Sequence, residues 1–255
     1  MFRTICACLC LLMLFLLLPG TVKARELIVS AAASLTGTFD EISAQFEADN
    51  PGVRVVRNYA SSGVLYRQIT QGAPVDVYAS ANMHWMQKAE KAGLVSADKY
   101  HIFAYNQIVL ATSGSERLDV SEPGDLRLGR LRRIGITNPA ISPAGNYAML
   151  SLKKLGLWDE LEQKMIYAET VTQLMDYIRR GEVDAGFVFA SDILRGQDAV
   201  QKKFTMPLES LPAYPMAILK NSKKPELAGK FVDLVLSQTG QGIMKKNGFQ
   251  AVNQK

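Results

Sequence analysis

Apolar and polar positions along this chain switch repeatedly between a strand-like run and a helical period. Residues 26–32, ELIVSAA, form a short β-favouring run, and in the segment that follows Leu35, Phe39, Ile42 and Phe46 recur at helical spacing until Pro51-Gly52 stops the pattern. Further strand-like runs cover 53–60, 75–81, 106–113, 133–139, 184–191 and 214–220. Between them, helical patterns cover 63–72, 83–93, 144–156 and 170–181, each closing on a glycine (Gly72, Gly93, Gly156, Gly181) as helix C-termini commonly do. Residues 225–248 read as one long helix or a helix pair. This alternation predicts the α/β class, with mixed, mainly parallel sheets covered by helices. Such sheets bind ligands beyond the carboxyl ends of their strands, where loops run into helix N-termini.

The first 24 residues follow a different rule. Arg3 is followed by an apolar run from Ile5 to Pro19, and small residues precede a cleavage position after Ala24. That order predicts a cleaved secretory signal peptide over 1–24 and a periplasmic mature protein. A membrane anchor is the rival reading, because the run approaches the length of a short span. All three cysteines, Cys6, Cys8 and Cys10, lie in this segment, so the mature chain has no disulfide framework, thiolate metal site or cysteine nucleophile. About 230 remaining residues suffice for a stable core without cross-links.

Charge changes the picture little. The formal +5 loses Arg3 and Lys23 with the signal, leaving 27 basic against 24 acidic side chains, and this mild excess gives no reason to expect nucleic acid. The pairs Lys153-Lys154, Lys202-Lys203 and Lys245-Lys246 read as solvated faces, and Asp76 and Asp184 as solvated strand openings.

The strand-to-helix junctions share a chemistry. Ser34 follows three alanines; Ser61, Ser62 and Gly63 follow a second strand; Ala144 and Gly145 open one helix, and Thr170, Val171 and Thr172 another. Small residues let backbone N–H groups approach a ligand, hydroxyls add donors, and helix N-termini favour negative charge. Ser34, Ser62 and Thr170 also suit ordinary helix N-caps. Catalytic patterns are thin. The two histidines, His84 and His101, have no partner at metal-ligand spacing, and zincin, nucleophile-elbow, dinucleotide and phosphate-loop motifs are missing. A serine hydrolase using Ser34 or Ser62 lacks a recognisable base. A structural or adhesive secreted protein would not require donor-rich junctions. Neither a resident metal nor an organic cofactor is called for.

In order, AAASL (31–35), YASSG (59–63), QGAPVDVYASA (71–81), PAGNYA (143–148), GFVFASD (186–192), YPMAI (214–218) and NGF (247–249) span nearly the whole mature chain. With these segments the sequence resembles the periplasmic molybdate-binding proteins of ABC transporters. The resemblance implies a two-lobed periplasmic binding protein fold, type II-like, with the ligand in the inter-lobe cleft. Lobe one would comprise 25–105 and 214–255, and lobe two 106–213, with crossovers near Tyr105 and Tyr214. It implies a monomeric, non-enzymatic receptor that binds molybdate, and with it tungstate, and delivers the ion to an ABC permease. A receptor for sulfate or another tetrahedral oxyanion is the near alternative.

The resemblance also implies the ligand set. Ser34 and Ser62 match two serines that donate through hydroxyl and N–H, and Ala144 and Val171 match backbone donors. Phe189 stands where the family usually has tyrosine, so that hydroxyl donor is lost. Tyr147 and Tyr214 are candidates to replace it. A fully ionised dianion only accepts hydrogen bonds, whereas hydrogen phosphate also needs an acceptor. The matched positions carry no acid, although Glu169 and Asp192 lie close in sequence.

Overall fold

In the computed structural model, residues 25–252 are described except 98, 116, 117, 128, 130, 197 and 198; the expected signal peptide and its three cysteines lie outside the described residues. β1 (Arg25–Ala32) buries Leu27 and Val29, passes through one 3-10 turn (Ala33–Leu35) and continues as α1 (Thr36–Asp49). The face of α1 expected from spacing is the buried one: Phe39 and Phe46 meet Phe231 edge-on, with centroids 5.9 and 5.3 Å away.

β2 (Val53–Ala60), α2 (Ser62–Thr70), β3 (Val77–Ala79) and α3 (Met83–Lys91) follow. The helix stop at Gly93 adopts φ 73°, a left-handed conformation that glycine takes without strain. β4 (Tyr100–Tyr105) then leads into β5 (Ile108–Ser113), β6 (Ile134–Thr137), α4 (Pro143–Lys154), the short α5 (Trp158–Leu161), β7 (Met165–Ala168) and α6 (Val171–Arg179). Last come β8 (Ala185–Phe189), α7 (Ala190–Gly196), β9 (Val200–Thr205), β10 (Ala213–Ile218), α8 (Pro225–Leu236), α9 (Gln238–Lys246) and β11 (Gln250–Ala251). The C-terminal helical stretch is therefore a pair. Ser237 ends α8 and caps α9 by accepting the Gly240 N–H at 3.2 Å.

The strands form a six-stranded sheet, β11-β4-β10-β3-β1-β2, and a five-stranded sheet, β7-β6-β8-β5-β9. Both are mixed. Among the described residues β1–β2, β1–β3, β6–β7 and β6–β8 are parallel, while β3–β10, β10–β4, β4–β11, β8–β5 and β5–β9 are antiparallel. The antiparallel share exceeds the mainly parallel expectation because β9 and β10 flank the return between sheets, and β4 and β5 the outward passage. The chain crosses outward at Asn106-Gln107 and returns between Thr205 and Ala213, and the Asn106 N–H donates to the Pro212 carbonyl at 3.0 Å to tie the two links together. One apolar cluster runs through both sheets and includes Phe103, Phe189, Tyr214 and Phe249.

Four strands were not foreseen, among them the two-residue β11. β4 carries exposed His101 as its second residue, and β7 is four residues long with Ile166 and Tyr167 exposed. β9 holds Lys202-Lys203 within an edge strand, where lysine discourages pairing with other chains. Asp76 corrects another expectation. It is buried, not solvated: its carboxylate accepts the Ile28 N–H at 2.9 Å and the Ser222 hydroxyl at 2.6 Å, and Lys224 lies 3.8 Å away. The group ties β1 to the loop before α8.

Candidate functional site

The carboxyl ends of the parallel strands of both sheets meet around one small cavity. It encloses about 200 Å³ of free space, including the part open to solvent. From the six-stranded side come Ala32 at the end of β1, Ala33 and Ser34 after it, Ser61 and Ser62 after β2, and Ala81 after β3. From the five-stranded side come Ser142 and Pro143 after β6, Val171 after β7, and Phe189 at the end of β8. No lining residue carries a formal charge. The wider groove formed by Arg25, Glu26, Lys223, Lys224 and Lys230 lies elsewhere and mixes both signs.

Ser34 is buried in the 3-10 turn before α1, and its Oγ lies 3.0 Å from Tyr214 Oη. It does not cap the helix, because Leu35 occupies that position. The Tyr214 ring is fully buried against Phe103, Phe189 and Phe249, at centroid distances of 6.2, 5.5 and 5.3 Å. Burial pushes its phenol well above the usual tyrosine range, with hydrogen bonding to Ser34 and Asn106 acting in the opposite direction.

Ser62 is the first residue of α2 and fully buried. Its Oγ accepts the Ala81 N–H at 3.0 Å, and its carbonyl accepts the Tyr78 hydroxyl at 2.9 Å. It is not a cap either: Ser61 holds that position and makes no side-chain cap bond. Ser61 instead donates to the Glu169 carbonyl beside the five-stranded sheet, and the Gly63 N–H donates to the Ile141 carbonyl at 2.9 Å. These two bonds hold the two sides of the cavity together. Of the three candidate caps, Thr170 alone serves as one, accepting the Gln173 N–H at 3.2 Å.

Helix starts converge on the cavity from four directions. The turn at Ala33–Leu35, the start of α2, the start of α4 behind Pro143, and the start of α6 at Val171 all border it. First-turn N–H groups have no carbonyl four residues back, so these ends supply donors and a favourable field for an anion. Ser34, Ser62, Val171 and Phe189 line the cavity together, whereas Ala144 lies one step behind Ser142 and Pro143 in the first turn of α4. Gly145 beside it packs on β6 so closely that a Cβ would fall 1.7 Å from the Thr137 carbonyl oxygen.

Neither neighbouring acid lines the cavity. The Asp192 carboxylate accepts the Phe189 N–H at 3.0 Å, and the Glu169 side chain is exposed. Of the two candidate tyrosines, Tyr214 meets Ser34 but does not itself line the cavity. Tyr147 hydrogen-bonds the Ala213 backbone, has its phenol pushed up to about 12 by burial, and borders a separate groove with Pro207 and Leu208. His84 lines another open cleft with Asn138 and Tyr167, and His101 is exposed on β4, so neither is placed as a base for Ser34 or Ser62. Ala81 and Asn106 carry no local signal as partners, because their contacts join residues far apart in the chain.

A family model described as bacterial extracellular solute-binding protein matches residues 27–250. The molybdate-binding protein ModA of Escherichia coli is 32% identical over 230 residues, covering 88% of this chain and 88% of that protein. ModA of Mycobacterium tuberculosis is 30% identical over 236 residues, covering 90% and 86%. Among solved structures, the periplasmic molybdate-binding protein of Azotobacter vinelandii superposes with a TM-score of 0.80 at 26% identity, covering 89% of this chain and all of that one.

Proposed function

Because the chain belongs to the bacterial extracellular solute-binding protein family, we propose that it is the periplasmic receptor that captures molybdate, and with it tungstate, for an ABC permease. The observation that carries this reading is the cavity: four helix starts and four buried serines border it, and no charged side chain does. Such a lining suits an anion that only accepts hydrogen bonds. The two sheets are the cores of two lobes, 25–105 with 214–255 and 106–213, and the ion is held between them by Ser34, Ser62, Ala144 and Val171. The receptor acts as a monomer.

Calorimetric titration of residues 25–255 with molybdate, tungstate, sulfate and phosphate tests the proposal. Tight binding of the first two with silence from the others supports it. Preference for sulfate or another oxyanion, or silence toward molybdate in folded, ligand-free protein, overturns it.

Phe189 offers a finer test. Its ring borders the cavity and packs on Tyr214. Restoring a hydroxyl there with Phe189→Tyr adds one donor to a charged acceptor, worth about 1.5–3 kcal/mol, so molybdate affinity should rise by about one to two decades. Unchanged affinity would mean that the missing hydroxyl is already replaced.

Affinity should also be flat in pH. No ionisable side chain lines the cavity, and the raised Tyr214 phenol stays protonated until well above its usual range. Titrations between about pH 6 and about pH 9 should therefore give one dissociation constant for a fully ionised anion. An inflection near the histidine range would place a titrating group in the site and contradict the neutral lining.

A further inference from the structure

Asn106 lies buried on the outward link between the sheets, away from the cavity lining. Its Oδ1 accepts the Gln107 N–H at 2.8 Å, and that bond fixes which end of the amide faces which way. Its Nδ2 then faces two hydroxyl oxygens, Ser191 Oγ at 2.9 Å and Tyr214 Oη at 3.4 Å. Tyr214 has one proton to give. With an N–H directed at its oxygen from Asn106, that proton goes to its other neighbour, Ser34 Oγ, at 3.0 Å. Ser34 thus receives a hydrogen bond on its inner side, and its own proton is left for the cavity. Ser62 reaches the same condition by a shorter route, since the donor to its oxygen is the backbone N–H of Ala81.

We propose that Asn106 and Tyr214 are positioning residues that fix the proton direction at Ser34, making it a one-way donor and biasing the cavity toward fully ionised oxyanions over protonated ones. The reverse direction, with Ser34 donating to Tyr214, would turn serine lone pairs toward the anion and set two donors, Asn106 Nδ2 and Tyr214 Oη, against each other. Preorganised donors cost nothing to reorient when the ligand arrives, which is why their orientation appears in affinity. The inference rests on the oxyanion reading above.

The test is calorimetry with molybdate and with inorganic phosphate on residues 25–255, for Tyr214→Phe and Asn106→Asp, each alone and combined with Ser34→Ala. Tyr214→Phe removes the donor to Ser34 and keeps the ring. Asn106→Asp keeps the shape but accepts where asparagine donates, so it reverses the chain. Tyr214→Phe should weaken molybdate about tenfold, and Asn106→Asp more. Both should narrow the preference over phosphate, because a freed Ser34 can accept a proton from it. In the Ser34→Ala background the Tyr214→Phe loss should largely vanish, and the Asn106→Asp loss should shrink to its charge repulsion alone. Equal losses with and without Ser34, in protein with native melting behaviour, overturn the inference while the receptor reading stands. Native protein that binds no oxyanion overturns both.

Discussion

Ser62→Asp is expected to reduce molybdate affinity by more than about a thousandfold while the protein stays folded. Ser62 Oγ now accepts the Ala81 N–H at 3.0 Å, and the aspartate carboxylate, one bond further from the backbone, keeps an acceptor within reach of that N–H. Binding does not survive. The substitution removes one donor to a charged ligand, about 1.5–3 kcal/mol. It also sets a negative charge about 4 Å from the anion, which costs about 4 kcal/mol per pair of unit charges at an effective dielectric constant near 20. Burial and the neighbouring anion both favour the neutral carboxyl, so part of the affinity should return as the pH falls through its raised pKa. Calorimetry across pH, with thermal melting to confirm folding, reads both effects. Affinity within tenfold of the native value would remove Ser62 from the site.

The second large effect concerns packing. Gly145→Ala would place a methyl 1.7 Å from the Thr137 carbonyl oxygen and 2.7 Å from its carbon. Backbone lies on both sides of that contact, so α4 must lift from β6. The expected destabilisation is about 3 kcal/mol or more, a fall in melting temperature of about 6–12 °C for a chain of this size. Lifting α4 also carries Ser142 and Ala144 away from the cavity, so affinity falls with stability. Gly229, inside α8 with nothing within 4 Å of its would-be Cβ, is the matching control. There alanine should stabilise by about 0.5–1 kcal/mol through helix propensity. A Gly145→Ala protein that melts and binds like the native one would show that the close approach of α4 to β6 is not required.

What the sequence by itself determined is what local spacing controls. Phe39, Ile42 and Phe46 recur at helical intervals, and those residues are buried on α1. The junction serines sit where small residues separate strand from helix, and that placed Ser34 and Ser62 at strand ends before any partner was known. The elements it missed are those whose local pattern is weak: β7 exposes two of its four residues, and β9 carries two lysines because it is an edge. The buried state of Asp76 was hidden for a related reason, since its acceptor bonds go to Ile28 and Ser222, 48 and 146 residues away.

Only the tertiary structure decided the roles of the site's hydroxyls. Ser34, Ser62 and Thr170 look alike in sequence, each a hydroxyl at a helix start. Thr170 satisfies its own helix, Ser62 takes a donor from the loop after β3, and Ser34 meets Tyr214 across 180 residues. Periodicity reports which face of an element is apolar, and capping rules report what a residue offers its neighbours three or four positions on. Neither carries information on which strand end comes to rest beside which. That follows from the order of strands in the two sheets and the two links between them, and it is what brings four helix starts to one small, uncharged cavity.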